Sequence, residues 1–148
     1  MPQRFLSGEQ WNRGRQAAHV PVRVLAVDDN RDTLEVISIV LTLHGYAVST
    51  ALDGASAIRS AALAQPDVVL LDITLPDMSG VDVLRALRSR GVTCPAVAWT
   101  AVSFDSDKLA YRKAGFDAFC GKPGDMDLLV RILLALTQPD GAPSVADR

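Results

Sequence analysis

The chain alternates between short apolar runs and segments whose apolar residues recur every three or four positions. Residues 22–27 form the first β-rich run, and Leu34, Ile37 and Leu41 then follow at helical spacing. Gly45 ends that predicted helix, and the alternation is repeated four more times along the chain. The pattern predicts five βα units, which form a parallel sheet with right-handed crossovers and helices on both faces.

The later units differ in how polar their strands are. Residues 67–71 form an apolar run that predicts the centre of the sheet, whereas the more polar residues 46–51 predict an edge strand. The other predicted strands are residues 95–100 and 116–120. The other predicted helices are residues 54–64, 81–90 and 105–114, and one that Asp125 caps and that carries Met126, Leu129, Leu133 and Leu136 on one face.

Composition and charge narrow the function classes. The 148 residues are 49% hydrophobic with 5% aromatics, which predicts one domain with an aliphatic core over residues 20–137. Residues 1–19 then form a tail or linker, and residues 138–148 a disordered tail. A net charge of −2 without a Lys/Arg stripe argues against direct nucleic-acid binding. No run is long and apolar enough for a membrane span or signal peptide, so we expect a cytoplasmic protein with Cys94 and Cys120 as buried thiols.

Polar side chains follow four of the predicted strands. Asp28 and Asp29 follow the first strand, Asp72 the third, Thr100 ends the fourth, and Lys122 comes after the fifth. In open parallel sheets the carboxyl ends of the strands form the ligand-binding edge, so these side chains are expected to converge. Taken singly, Asp28 or Asp29 is more simply explained as a helix cap, Thr100 as structural, and Lys122 as a solvated loop residue.

Crowded carboxylates repel one another and favour a bound cation. Oxygen ligands of this kind suit Mg²⁺, and we expect Asp29, Asp72 and the Thr74 backbone carbonyl to hold it, with Asp28 close by. A carboxylate oxygen of Asp72 could then attack phosphorus as a nucleophile.

These residues, taken together, resemble the receiver domains of two-component response regulators. The matching residues are Asp28-Asp29, Asp72 with Pro76 and Gly80, Thr100-Ala101, and Lys122-Pro123, and the resemblance spans residues 22–136. It implies a flavodoxin-like, doubly wound (βα)5 three-layer sandwich with strand order 2-1-3-4-5. It also implies Mg²⁺-dependent phosphorylation of Asp72 by a phosphohistidine, and a cis peptide bond before Pro123 that aims Lys122.

The resemblance also assigns roles in signal output. Thr100, followed by Ala101, would move toward the phosphoryl group, and Phe119 would turn inward behind it. The last strand and the last two helices would then change as a surface for an effector protein or a second copy. The donor would be a histidine kinase or a histidine phosphotransfer protein. Such a domain is not a conventional enzyme, because it catalyses only its own phosphorylation and slow dephosphorylation.

Other classes fit the sequence less well. An aspartate-nucleophile phosphatase of the haloacid-dehalogenase type needs a second Asp where this chain has Thr74. A flavodoxin-type FMN module would need a phosphate cradle where Asp28 and Asp29 would repel the phosphate. A pseudo-receiver that only binds partners would not need the complete acidic set.

The receiver could also belong to a hybrid histidine kinase. Trp99 is larger than the aliphatic residue usual before the Thr, and either core packing or coupling to the site explains it.

Slow loss of the phosphoryl group is expected, because Thr74 and Val102 occupy the family positions that help to position or exclude the hydrolytic water. Neither residue is a carboxylate or an amide. We predict that Val102→Glu shortens the lifetime of phosphorylated Asp72, measured by intact mass against time. Equal decay rates in the two proteins would refute the assignment.

Overall fold

The computed structural model describes residues 20–101, 105–122 and 126–137. In chain order its elements are β1 (Arg23–Val27), α1 (Arg31–Leu43), β2 (Ala47–Ala51), α2 (Gly54–Leu63), β3 (Val68–Asp72), α3 (Gly80–Ser89), β4 (Ala96–Thr100), α4 (Asp105–Ala114), β5 (Ala118–Gly121) and α5 (Met126–Thr137). The five predicted βα units are therefore confirmed. The predicted tails, residues 1–19 and 138–148, lie outside the described residues, so the domain boundaries stay a prediction.

The five strands form one parallel sheet in the order β2-β1-β3-β4-β5. The predicted strand order is confirmed, with the apolar β3 in the centre and the more polar β2 at an edge. All five residues of β3 and all five of β4 are buried, as expected for strands covered on both faces. The central position of β3 brings its last residue, Asp72, next to the ends of β1 and β4.

Alternate strand residues supply two separate cores, one on each face of the sheet. On one face the side chains of β1, β3 and β4 pack with the buried residues of α1 and α5, including Ile37, Leu41, Leu129 and Leu133. On the other face they pack with buried residues of α2 and α3, including Ala57, Val83, Leu84 and Leu87. The helical spacings in the sequence therefore predicted the buried faces of α1 and α5.

Local signals fix where the helices begin and end. The side chains of Asn30, Asp53 and Ser79 accept hydrogen bonds from backbone N–H groups in the first turns of α1, α2 and α3. Gly45, predicted as a helix stop, and Gly91 after α3 have positive φ angles of 89° and 84°.

The fifth strand starts two residues later than predicted. The backbone N–H of Phe116 donates to the carbonyl of Tyr111 at 3.1 Å, so Phe116 is hydrogen-bonded to the last turns of α4 and is not paired in the sheet. Among the residues that the structure describes, no helix has the length and apolar character needed to cross a bilayer.

The core predicts that two leucines contribute very differently to the free energy of unfolding. Leu70 on β3 is 1% exposed, whereas Leu43 at the end of α1 is 80% exposed. We expect Leu70→Ala to lower the free energy of unfolding by about 2–5 kcal/mol, because it removes packed methyl groups from a covered strand. Leu43→Ala, the control, should change the free energy of unfolding by no more than about 0.5 kcal/mol. Urea unfolding followed by circular dichroism measures both, and similar losses would contradict the assignment of the two positions.

Candidate metal and phosphoryl site

Three carboxylates meet at the carboxyl edge of the sheet. Asp28 and Asp29 directly follow β1, and Asp72 is the last residue of the neighbouring strand β3. One oxygen from each carboxylate lies within 4.8 Å of the others. Asp28 and Asp72 are buried, whereas Asp29 is exposed. The expected convergence of the three residues is therefore present, and most of its charge is shielded from water.

Lys122 connects the two buried carboxylates. Its Nζ donates to Asp28 Oδ2 at 2.8 Å and to Asp72 Oδ2 at 3.0 Å. The backbone N–H of Lys122 donates to the carbonyl of Thr100 at 2.8 Å, so the end of β4 fixes the backbone from which the side chain extends. Burial lowers the pKa of Lys122, but the hydrogen bonds to Asp28 and Asp72 outweigh it, and the net pKa is raised. The ammonium therefore stays charged between its partners.

Two hydrogen bonds orient the Asp72 carboxylate, but its surroundings disfavour the charged form. Its Oδ1 accepts a hydrogen bond from the backbone N–H of Thr74 at 3.0 Å, and its Oδ2 accepts the one from Lys122. Burial raises the pKa of Asp72, and the nearby charge of Asp28 adds to this, against the lowering by Thr74 and Lys122. A net raised pKa means that the surroundings disfavour the negative charge of Asp72.

The loop between β3 and α3 is fixed by two contacts. A Cβ on Gly80 would collide with the backbone carbonyl of Asp72 and come within 2.9 Å of Ile73 Cα, so only glycine lets α3 begin this close to the strand. The carboxylate of Asp77 accepts hydrogen bonds from the N–H groups of Gly54 at 2.8 Å and Ala55 at 3.0 Å, at the start of α2. These hydrogen bonds lower the pKa of Asp77. The loop segment that contains Thr74 is therefore anchored at both ends.

The predicted switch residues lie on the side of the site away from β1. Thr100 is buried at the end of β4, and Ala101 after it is exposed. Phe119 on β5 is partly buried, with its ring 6.2 Å from that of Tyr111 and the Arg112 guanidinium 5.6 Å from its centre. Phe119 therefore packs against residues of α4, within the predicted output face of β5, α4 and α5.

Trp99 contributes a contact that the sequence did not predict. Its ring is 1% exposed in the core, and its indole Nε1 donates to Asp28 Oδ2 at 3.0 Å. Trp99 therefore packs in the core and also contacts the site, and its coupling to the site stays a prediction. The available signal was a tryptophan in the last positions of an otherwise aliphatic strand, since a buried indole N–H requires an acceptor.

Pro123 and Val102 lie outside the described residues, so the cis peptide bond and the role of Val102 stay predictions.

The arrangement suits a hard divalent cation. The candidate ligands are all oxygens, and two of the three carboxylates are buried with a single ammonium between them. Burial is the largest cause of the raised pKa of Asp72, and it outweighs the lowering by Thr74 and Lys122. An open cleft of about 660 Å³ reaches Asp28, Asp29 and Lys122 from solvent. A cation can therefore approach Asp28 and Asp29 from solvent, whereas Asp72 is buried beside them and does not line this cleft.

Comparisons with known proteins agree with this geometry. The family model described as "Response regulator receiver domain" matches residues 24–134. The chain is 42% identical over 131 residues to the probable transcriptional regulatory protein TcrX of Mycobacterium tuberculosis, covering 88% of this chain and 56% of that protein. It is 44% identical over 120 residues to the transcriptional regulatory protein KdpE of the same species, covering 80% and 53%. The chain thus spans about half the length of these relatives.

Solved structures show the same fold. The chemotaxis protein CheY4 of Vibrio cholerae superimposes with a TM-score of 0.75 at 29% identity, covering 78% of this chain and 98% of that one. DrrB of Thermotoga maritima, described as an OmpR/PhoB homolog, gives a TM-score of 0.71 at 26% identity, covering 78% and 52%.

The raised pKa of Asp72 predicts that ionisation of its carboxyl group lowers the stability of the fold. Because the folded-state pKa of Asp72 is raised, ionisation of this group costs stability as the pH rises through that pKa. In the presence of a chelator near pH 7, we expect Asp72→Asn to unfold at a temperature a few degrees higher than the wild type. The difference should shrink as the pH falls toward 3.8, the ordinary pKa of an aspartate. A lower unfolding temperature for Asp72→Asn near pH 7 would contradict this electrostatic description.

Proposed function

The chain belongs to the receiver-domain family of response regulators, and we propose that Asp72 is its phosphoryl acceptor. The observation that carries the proposal is the position of Asp72 at the end of the central strand, where Lys122 hydrogen-bonds both Asp72 and Asp28. A carboxylate bridged by an ammonium to a second buried carboxylate is arranged to receive an anionic group once a cation offsets the charge. The phosphoryl donor we propose is a phosphohistidine of a histidine kinase or histidine phosphotransfer protein.

The transfer itself requires little beyond positioning. A carboxylate oxygen of Asp72 forms the new bond to phosphorus while the bond from phosphorus to the imidazole nitrogen breaks, and its electron pair remains on the imidazole. The Thr74 N–H keeps the carboxylate from rotating. Lys122 exchanges its contact with Asp72 Oδ2 for the incoming phosphoryl oxygens and keeps its contact with Asp28.

We propose Mg²⁺ as the cofactor, with Asp29, Asp72 and the Thr74 carbonyl as its protein ligands and Asp28 beside it. The three carboxylates support this assignment, because one oxygen of each lies within 4.8 Å of the others. Asp29 is exposed, so a hydrated ion can reach the site from solvent on that side. When bound, the ion would neutralise charge on the phosphoryl oxygens as they approach the carboxylates.

The proposed response passes from the site to the face made by β5, α4 and α5. Thr100 lies beside the site, and Phe119 lies behind it against Tyr111 of α4. We propose that Thr100, followed by Ala101, moves toward the phosphoryl group and that Phe119 shifts with it. Because the relatives are named transcriptional regulatory proteins and this chain spans about half of them, the output we propose is a transcriptional effector or a second copy.

Other properties follow from this role. The domain is a signalling module, and we propose that its only catalysis is its own phosphorylation and slow dephosphorylation. A cytoplasmic location is also proposed, and it is supported by Cys94 and Cys120, which form no disulfide with each other.

The decisive test is to incubate the protein with Mg²⁺ and a small acyl phosphate and to measure its intact mass. We expect the wild type to gain one phosphoryl group and Asp72→Asn to gain none. Asp82→Asn is the matched control, because it removes a solvent-exposed carboxylate of α3 and should be phosphorylated like the wild type. No adduct on the folded wild type, or an adduct that persists in Asp72→Asn, would exclude Asp72 as the acceptor. The first of these outcomes would favour a pseudo-receiver that only binds partners.

A further inference from the structure

Trp99 places the only described indole N–H in contact with the acidic site. The residue is on β4, at the register position opposite Asp72 on one side and Cys120 on the other. Its ring packs in the core between the sheet and the helices α1 and α5, and it is 1% exposed. From that position Nε1 reaches the carboxylate of Asp28, which lies 71 positions earlier in the chain.

The carboxylate of Asp28 is held by three donors. The backbone N–H of Asn30 donates to Oδ1 at 2.9 Å, and the Trp99 indole and the Lys122 ammonium donate to Oδ2 at 3.0 and 2.8 Å. Of these donors the ammonium is shared with Asp72. Under the proposed function it gives up its contact with Asp72 when a phosphoryl group arrives. The indole N–H serves only Asp28 among the contacts described, and it comes from a rigid buried strand.

The rigidity of this donor distinguishes it from Lys122. A lysine side chain has four rotatable bonds, whereas a packed indole in a fully buried strand is fixed by its neighbours. The Lys122 Nζ also lies 6.0 Å from the centre of the Trp99 ring, so the ring bounds the space in which the ammonium can move. One side chain therefore restrains both the carboxylate and the ammonium.

We propose that Trp99 is a positioning residue of the metal site, and that its indole N–H fixes the Asp28 carboxylate in the orientation that supports cation binding. The inference rests on the proposed function, since it takes Mg²⁺ as the cation. Donors that orient a carboxylate near a metal often change its affinity by an order of magnitude or more. Loss of the indole N–H leaves Asp28 Oδ2 with Lys122 alone, which is also drawn toward Asp72.

The test is Mg²⁺ binding by titration calorimetry in the full chain, with Trp99→Phe as the variant. Phenylalanine keeps an aromatic ring in the core and removes the donor. We expect Trp99→Phe to weaken Mg²⁺ binding by about tenfold. Ile37→Val is the matched control, because Ile37 is fully buried in the same core and carries no polar atom. It should leave the Mg²⁺ dissociation constant unchanged although it also lowers the unfolding temperature.

A double-mutant cycle then tests whether Trp99 acts through Asp28. In an Asp28→Ala background, Trp99→Phe should cause no further loss of Mg²⁺ affinity. The inference is overturned if Trp99→Phe binds Mg²⁺ as tightly as the wild type, or if it loses the same factor in the Asp28→Ala background. A wild type that binds no Mg²⁺ would overturn the metal site of the proposed function together with this inference. The first two outcomes leave the proposed metal site intact.

Fluorescence provides a second measurement that needs no change at Trp99. The chain has two tryptophans, so Trp11→Phe leaves Trp99 as the sole indole. We expect the emission of Trp99 to change saturably with Mg²⁺, because the cation alters the charge on the carboxylate that its N–H contacts. The change should be lost in Asp28→Ala. An emission that does not respond while calorimetry shows Mg²⁺ binding would count against the inference, even if Trp99→Phe failed to fold.

Discussion

The structure depends on one electrostatic constraint, which is that a single ammonium lies between two buried carboxylates. Lys122 hydrogen-bonds Asp28 and Asp72 at the same edge of the sheet, and the exposed carboxylate of Asp29 is nearby. Two buried negative charges with one positive partner are costly in a medium of low dielectric constant. Burial is the largest cause of the raised pKa of Asp72, and the nearby charge of Asp28 adds to it. The fold has to hold these groups together although they repel.

The rest of the architecture explains how that arrangement is maintained. Hydrophobic cores on both faces of the sheet fix the strand ends, and neighbouring positions of β1 and β3 keep Asp28 close to Asp72. Backbone and indole N–H groups then compensate the carboxylates individually, through Asn30, Thr74 and Trp99. A cation bound as proposed would offset the negative charge that remains. Stability is thus given up locally at the site and recovered in the aliphatic cores.

The sequence alone predicted the parts of the structure that depend on local patterns. Apolar spacing gave the five βα units and the buried faces of α1 and α5, and the position of Asp72 after an apolar strand indicated the centre of the site. Contacts between distant residues were not predictable in this way. The Trp99–Asp28 hydrogen bond joins residues 71 positions apart, and its existence depends on how β4 packs against α1 and α5. The strand order itself came from resemblance to a family, because βα alternation fits more than one order.

The contact of Asp77 with the start of α2 also bears on how the site assembles during folding. The carboxylate joins two backbone N–H groups more than twenty positions earlier, and it encloses the whole of β3 in a non-covalent loop. Those N–H groups are presented together only when the first turn of α2 has formed and β3 has paired with its neighbours. The entropy lost in closing such a loop is recovered only after these elements exist. The anchor of the segment around Thr74 therefore depends on the first turn of α2, an element more than twenty positions earlier in the chain.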